Sequence, residues 1–148
     1  MRLWHYKIIP YLPDSQLIAQ WRELNTIYAK QPSHILINYV YDYPKQDLLC
    51  YSLYVFREMD KRGFVVRNWE NFDTYFDIKV IDGFSQIGEL DITEPFKAHH
   101  TERYLKQCFA NLQEKYDRGQ KDFSDNRYGL LLGFMCQEVF KEKENDLS

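Results

Sequence analysis

The sequence is poor in the residues that mark special protein classes. Of its 148 residues, 3 are cysteine, 6 are glycine and 5 are proline. So little glycine and proline excludes collagen-like and low-complexity chains. The cysteines are odd in number and far apart, which disfavours both a disulfide framework and a thiolate metal site. We expect all three to be buried thiols: Cys50, Cys108 and Cys136.

The sequence also lacks long hydrophobic runs and metal-binding motifs. A membrane-spanning helix needs about 20 apolar residues, and the apolar start of the chain is interrupted by His5, Lys7 and Pro10. We therefore expect no membrane span, no signal peptide and a cytoplasmic location. The 4 histidines form no His-Glu-x-x-His pair. None has a cysteine at ligand spacing, so we predict no metal and no other cofactor.

Aromatic and aliphatic side chains are abundant. Hydrophobic residues make up 45% and aromatic residues 17% of the chain, which is typical of a globular protein. A chain of this length is the size of one domain and can bury about 70% of its unfolded surface. We expect a mainly α fold in a single compact domain over residues 1–148.

Apolar residues recur at three- and four-residue spacing in about four segments, which indicates amphipathic helices. Asp14 is the expected N-cap of the first helix, and the others are expected at about 45–62, 101–118 and 125–143. The last helix is either part of the domain or an addition to it. The core positions expected in the first helix are Leu17, Ile18, Trp21, Leu24 and Tyr28.

The connections between these helices are expected to be aromatic and extended. Residues 3–12 and 35–43 are rich in tyrosine, isoleucine and valine, and a proline follows each. Gly63 is the expected C-terminal cap of the second helix. Residues 64–95 are expected to be irregular, with a small hairpin as an open alternative if a turn forms at Asp82-Gly83.

The charge balance is acidic overall but uneven along the chain. A formal net charge of −3 is unfavourable for a nucleic-acid binder, because affinity for phosphates comes from lysine and arginine. Residues 66–94 hold seven acids against two bases, whereas residues 97–121 hold six bases against three acids. A basic face can therefore exist on this acidic protein.

The polar side of the first helix carries the candidate site. At about 100° per residue, Arg22 and Glu23 lie on the two flanks of the side opposite the core. The strip between them is lined by the small residues Ser15, Ala19 and Thr26. We expect a furrow with the guanidinium of Arg22 on one side and the carboxylate of Glu23 on the other. Periodicity alone favours an ordinary solvated helix face over a binding site.

Residues 12–28 read LPDSQLIAQWRELNTIY. This run closely resembles the first-helix motif of the pyrimidine-dimer DNA glycosylases, the phage-type endonuclease V family, in which a Leu-(Met/Ile)-Ala-x-aromatic-Arg-Glu run carries the active site. Other blocks resemble uncharacterised bacterial relatives in that family, so that residues 1–64 and 97–116 are covered. These blocks are MRLWHYKIIPYLP at the start and residues 38–41, 57–64, 104–108 and 111–115.

The resemblance implies a DNA repair glycosylase with AP lyase activity. Family members extrude bases at a cyclobutane pyrimidine dimer, cleave the glycosidic bond and nick the strand by β-elimination, with the chain's own α-amine as nucleophile. Arg2 is too bulky to permit removal of the initiator methionine, so the amine would be that of Met1. Such an amine suits the role because its reference pKa of about 7.7 to 8.0 leaves about a tenth or more of it neutral at pH 7.

The resemblance also assigns roles to side chains. Glu23 would protonate or electrostatically support the opening sugar and then help to remove the proton that drives elimination. Thr26 stands where the family has a second motif arginine. The partner would be damaged double-stranded DNA, and the chain itself a monomer or a weak dimer through its C-terminal helix. The expected DNA-binding residues are Arg22, Arg2, Thr26, Ser15, Arg103 and Lys106.

Several alternatives stay open. The chain could be a non-catalytic DNA- or protein-binding relative of the same fold. Lys7 could form the imine in place of the α-amine if its pKa were lowered by several units. For five aromatic residues, contacts with bases or phosphates are weighed against core or surface packing: Tyr39, Tyr41, Tyr43, His34 and His99.

Overall fold

The computed structural model describes residues 1–78 and 92–140. The predicted turn at Asp82-Gly83 lies outside these residues. Within them the chain is mainly helical, as the sequence predicts, and it has no strand. The helices are α1 (Asp14–Lys30), α2 (Lys45–Lys61), α3 (Glu70–Phe76), α4 (Glu102–Asp117) and α5 (Asp125–Met135).

The predicted helices are confirmed, with small differences at their ends. Asp14 is the first residue of α1 rather than its cap, and Pro13 precedes it in an extended conformation. Gly63 follows α2 with φ +84°, a left-handed conformation that glycine adopts without strain. A π-helical turn, Cys136–Phe140, follows α5, and the predicted residues 141–143 lie outside the described part.

The prediction of extended connections is wrong. Tyr6–Tyr11 and Asn38–Asp42 are 3₁₀ helices, and α3 forms inside the segment that was expected to be irregular. Aromatic packing explains α3, because Phe72 is fully buried and meets the ring of Tyr28 edge-on at 5.6 Å. The spacing of apolar residues within so short a segment does not reveal this helix, because its burial depends on contacts with α1.

One hydrophobic core joins all the helices. Helix α1 packs against α2 and α3, and the 3₁₀ helix Tyr6–Tyr11 packs against α2, α4 and α5. The predicted core face of α1 is confirmed, with Ile18 only partly buried. Cys136 is exposed rather than buried, because it lies on the solvent side of the turn after α5. Among the described residues, no helix is long and apolar enough to cross a membrane.

Two buried histidines join the N-terminal region to the start of α4. His5 Nε2 donates to the carbonyl of His100 at 2.9 Å, and His100 Nδ1 accepts from the amide of Tyr6 at 3.3 Å. His5 Nδ1 likewise accepts from the amide of Lys7 at 3.1 Å. Burial lowers the pKa of His5 to about 4, and burial followed by the charge of His5 lowers the pKa of His100 to about 3. Both rings are therefore neutral in the folded protein at neutral pH.

These histidines predict that the fold loses stability in mild acid. Their folded pKa values lie below the unfolded value of 6.5, so the unfolded chain binds more protons as the pH falls from about 6.5 towards 4. Each histidine can cost up to about 1.4 kcal/mol per pH unit in that window. Denaturant unfolding at about pH 7, 6 and 5 measures the loss.

Two variants assign that loss to the buried pair. H100N should remove roughly half of the pH dependence, because one of the two histidines is then absent. H34Q changes a histidine outside the hydrophobic core and should leave the dependence as it is in the wild type. A wild-type unfolding free energy that stays constant between about pH 6.5 and 5 would contradict the prediction.

Candidate active site

The first five residues form neither helix nor strand, so their backbone polar groups need partners from elsewhere. Side chains of α1, α2 and α4 supply them. Three carbonyls accept hydrogen bonds: Arg2 O from Gln20 Nε2 at 2.9 Å, Leu3 O from Tyr104 OH at 2.5 Å, and Trp4 O from Tyr51 OH at 2.6 Å. Three amides donate: Arg2 N to Glu23 Oε2 at 3.5 Å, Trp4 N to Gln20 Oε1 at 2.8 Å, and His5 N to Cys108 Sγ at 3.5 Å.

Glu23 lies beside this N-terminal segment and is partly buried. Its Oε2 accepts from Gln20 Nε2 at 3.0 Å as well as from the amide of Arg2. Burial raises the pKa of Glu23 above its usual value, and the Arg2 amide, the charge of the terminal amine and the Gln20 amide offset this rise only in part. Within the described residues no arginine or lysine side chain pairs with Glu23 at 4.0 Å or less.

The α-amine of Met1 is close to this carboxylate. Arg2 N is 3.5 Å from Glu23 Oε2, and standard bond lengths place the nitrogen of Met1 no more than about 3.7 Å from Arg2 N. The amine is therefore at most about 7 Å from Glu23 Oε2. In the part of the chain that is described, the two groups form no direct ion pair at 4.0 Å or less.

Met1 and Glu23 line the same pocket, which we call the amine pocket. Its volume is about 310 Å³. Helix α4 forms one wall, and the amide nitrogen Nδ2 of Asn111 in that wall is buried without a hydrogen-bond partner. The lining residues are Met1, Arg2, Trp4, Gln16, Glu23, Asn111, Glu114, Lys115 and Arg118.

The amine pocket is basic although the protein is acidic. Arg2, Lys115, Arg118 and the terminal amine are four basic groups, set against the carboxylates of Glu23 and Glu114. One of these bases is engaged, because Arg118 pairs with Glu114. The guanidinium of Arg2 lies 5.6 Å from the centre of the Trp4 ring, within the range of a cation–π contact. The positive excess suits a ligand that carries phosphate groups.

Arg22 does not share the amine pocket with Glu23. It is exposed and lines a separate pocket of about 600 Å³, together with Trp21, Asn25 and Arg67 among others. Successive residues on a helix diverge by about 100°, so each faces a different neighbouring segment. Instead of one furrow, two pockets therefore lie on the two sides of α1.

The small residues between the two pockets contact their own chain. The amide of Ser15 donates to Asp122 Oδ2 at 2.7 Å, and its hydroxyl accepts from Gln120 Nε2 at 2.9 Å. Thr26 Oγ1 donates to the carbonyl of Arg22 at 3.2 Å. Neither Ser15 nor Thr26 lines either pocket, and any contact with DNA would be made at the surface of α1.

The remaining sequence candidates lie elsewhere. Lys7 pairs with Glu138 at 3.6 Å and lines a third pocket of about 220 Å³ that does not include Glu23. Lys106 pairs with Glu102 at 3.5 Å. Arg103 is exposed, and neither it nor Lys106 lines the amine pocket.

The tyrosine and histidine candidates make contacts within the protein. Tyr39 stacks on His99 with ring centroids 4.5 Å apart, and Tyr43 OH is 2.7 Å from His99 Nδ1. Tyr41 OH donates to the carbonyl of Pro32 at 2.7 Å. His34 Nδ1 accepts from the amide of Leu36 at 3.1 Å. These contacts favour packing over base stacking for Tyr39 and Tyr43.

Sequence reasoning missed several residues of the site. Gln20 occupies the unspecified position of the first-helix motif, and its bonds to Arg2 and Trp4 depend on the path of residues 1–5. Lys115 and Arg118 fall in the basic segment 97–121, but charge counts do not tell which helix face meets Glu23. Asn111 and Gln16 lie in blocks that resemble the family, but the resemblance assigned no role to either. Among residues 1–78 and 92–140, no group of histidine, cysteine and acidic side chains could hold a metal ion.

Comparison with known proteins supports the reading of the first helix. Residues 1–71 match the family model described as pyrimidine dimer DNA glycosylase. No curated protein and no solved structure matches the chain. The matched segment holds Met1, Gln20, Arg22 and Glu23, whereas α4 lies beyond it. The family description points to a DNA repair glycosylase and a DNA substrate. This match to residues 1–71 supports the pyrimidine dimer DNA glycosylase family that the first-helix motif predicts.

Proposed function

We propose that this protein is a DNA glycosylase with AP lyase activity on damaged duplex DNA, with pyrimidine dimers as the lesion that the family suggests. The α-amine of Met1 is the nucleophile and Glu23 is the acid and base. The observation that carries the proposal is the placement of both groups in one pocket of about 310 Å³. An amine and a carboxylate that are more than 4.0 Å and at most about 7 Å apart leave room for a sugar carbon between them.

The chemistry needs only these two groups and the substrate. The lone pair of the amine attacks C1′ of the lesion nucleotide, and the glycosidic bond breaks with its electron pair on the departing base, which takes up a proton. Loss of the amine proton and opening of the sugar ring give an imine. Removal of a proton from C2′ then expels the 3′ phosphate, and this β-elimination nicks the strand.

The surroundings of Glu23 suit the proton transfers. A carboxyl whose pKa is raised by burial holds a proton more readily than an exposed one, so it can donate to the opening sugar. It can also take the C2′ proton afterwards, because no basic side chain of the described chain competes for it by direct pairing. As a carboxylate it also stabilises the iminium cation beside it.

Basic residues around the amine pocket would hold the DNA strand. Arg2, Lys115 and Arg118 can contact phosphates on the side of α1 that carries Glu23, and Arg22 can contact the strand on the other side. Asn111 lines the same pocket, and its unpartnered amide nitrogen, which is buried, can donate to a sugar or phosphate oxygen once the side chain turns towards the pocket. The proposed site therefore includes residues of α4 in addition to those that were expected on α1.

We expect E23Q to abolish strand nicking at abasic-site DNA without loss of stability. The carboxylate is destabilising at neutral pH, because burial raises its pKa above the unfolded value; a neutral amide of the same shape removes that effect. Thermal melting and a gel nicking assay measure both parts. E70Q, on the exposed side of α3, is the matched control and should keep wild-type activity. Undiminished nicking by folded E23Q would refute the role of Glu23.

Borohydride reduction during reaction with abasic-site DNA should trap a covalent adduct on the α-amine of Met1. Mass spectrometry of the digested adduct locates the cross-link and also shows whether the mature chain begins at Met1. K7A should trap as well as the wild type, because Lys7 lines a different pocket. An adduct on Lys7 would overturn the assignment. Salt-sensitive DNA binding without any adduct would instead indicate a non-catalytic binding module.

K115A should weaken binding to abasic-site duplex DNA and reduce the slope of log K against log salt by about 1, because one phosphate contact is lost. K106A is the comparison on the same helix. Lys106 is already paired with Glu102 and lies outside the amine pocket, so a smaller effect is expected. Fluorescence anisotropy over a salt series measures both. An equal or larger effect of K106A would place the DNA on the other face of α4.

A further inference from the structure

Gln20 is the best-connected polar side chain near the amine pocket. It is 1% exposed and makes four hydrogen bonds. We propose that Gln20 is a positioning residue, which sets the α-amine of Met1 against the carboxylate of Glu23 by bonding to both sides at once. This inference rests on the proposed function and adds to it a residue that never touches the substrate. Its partners are Arg2 O, Glu23 Oε2, Trp4 N and Tyr51 OH.

The four bonds engage both protons and both lone pairs of the amide, although the Tyr51 proton is shared with Trp4 O. Nε2 has two protons, and these go to Arg2 O at 2.9 Å and Glu23 Oε2 at 3.0 Å. Oε1 has two lone pairs, which face Trp4 N at 2.8 Å and Tyr51 OH at 2.9 Å. Gln20 is buried, so it acts only through the groups that it holds.

The orientation of the amide is fixed by groups that cannot exchange roles. The amide of Trp4 can only donate and the carbonyl of Arg2 can only accept. Rotating the Gln20 amide by half a turn would set two donors against each other at Trp4 and two acceptors against each other at Arg2. Glu23 therefore always meets an N–H of Gln20, which is the arrangement that favours its carboxylate form.

Tyr51 holds the far side of Gln20. Its single phenol proton faces two acceptors, Trp4 O at 2.6 Å and Gln20 Oε1 at 2.9 Å, and the shorter distance points to Trp4 as the main acceptor. Tyr51 is fully buried. The amide of Gln20 thus lies between α2 and the N-terminal segment, and its contacts on both sides fix its position relative to Glu23.

These contacts leave the terminal amine little freedom. The peptide between Met1 and Arg2 is held through Arg2 N by Glu23, and the next peptide is held through Arg2 O by Gln20. Rotations within Met1 alone remain for the amine. Without the Gln20 donor, Arg2 O and Glu23 Oε2 would each lose a hydrogen bond, because Gln20 is the one side chain among the described residues that bonds to both.

The decisive variant is Q20E. The substituted carboxylate keeps an acceptor for Trp4 N and Tyr51 OH, but it loses the two N–H groups that bridge Arg2 and Glu23. Q20M has a similar volume and loses all four bonds. Q107E, on the exposed side of α4, is the matched control for the added charge. Circular dichroism melting establishes which variants are folded at the assay temperature.

The measurements are single-turnover rates of borohydride trapping and of strand nicking on abasic-site duplex DNA, with its dissociation constant measured separately. Displacement of reacting groups by about 1 Å can cost 100-fold, so we expect Q20E to lose about 10- to 100-fold in both rates at pH 7.5. Its dissociation constant should change by less than about 3-fold, since Gln20 makes no contact with DNA. Q107E should match the wild type.

The pH profile separates positioning from a loss of folding. As the pH falls, the substituted carboxyl of Q20E takes up a proton and can again donate to Glu23 or Arg2, so its deficit should shrink; the deficit of Q20M should not. In Q20M the pKa of Glu23, followed by carbon NMR of labelled protein, should rise further, because the Gln20 hydrogen bond that lowers it is gone. If Gln20 only stabilised the fold, we would expect neither the recovery of Q20E at low pH nor a further rise in the pKa of Glu23 in Q20M.

The results test two claims separately, the lyase function of the protein and the positioning role of Gln20. Wild-type trapping together with slowed, acid-rescued Q20E supports both. Wild-type trapping with unchanged rates in folded Q20E and Q20M overturns the role of Gln20 and leaves the proposed function intact. A wild type that forms no adduct overturns the lyase function, and the positioning role with it. A fall in rate that is equal in Q20E and Q20M at every pH also overturns the positioning role.

Discussion

The backbone polar groups of residues 1–5 need hydrogen-bond partners although this segment forms no helix or strand. The geometry of the site depends on the side chains that supply those partners. Residues 1–5 are held by side chains from three helices, with Gln20, Tyr51 and Tyr104 as the main partners. Buried polar backbone groups without partners are costly. The path of the segment is therefore determined by those side chains, and the position of the proposed nucleophile follows from the path.

The same burial that orders the terminus creates the electrostatics of the site. It raises the pKa of Glu23, and no basic side chain of the described chain pairs directly with this carboxylate. The carboxylate is therefore less stable than one at the surface, which is a common cost of a reactive group. Lys115 and Arg118 of α4 line the same pocket without pairing with Glu23, so the pocket is basic within a chain of net charge −3. Net charge alone says little about such a site, because the field in a pocket is set by the few groups that line it.

The sequence predicts the parts of this protein that depend on local pattern. Periodicity locates α1, α2, α4 and α5, since each buries a continuous stripe of apolar residues. It misses α3, a short helix whose burial depends on α1, and it takes two 3₁₀ helices for extended chain. The motif on α1 leads to Glu23, but not to Gln20 or Asn111. Their importance comes from contacts between residues 1–23 and residues 51–118, and no pattern within a window of one helix contains those contacts.

The separation of Arg22 from Glu23 bears on the kind of ligand that can use both. The two residues are adjacent in sequence, yet they line pockets on opposite sides of α1, with Ser15 and Thr26 on the ridge between them. A small molecule bound in the amine pocket would not reach Arg22. A ligand that contacts both must cross α1 between the two pockets. An extended polyanion such as a DNA strand meets this requirement, because its phosphates recur along its length and can reach basic groups on both sides.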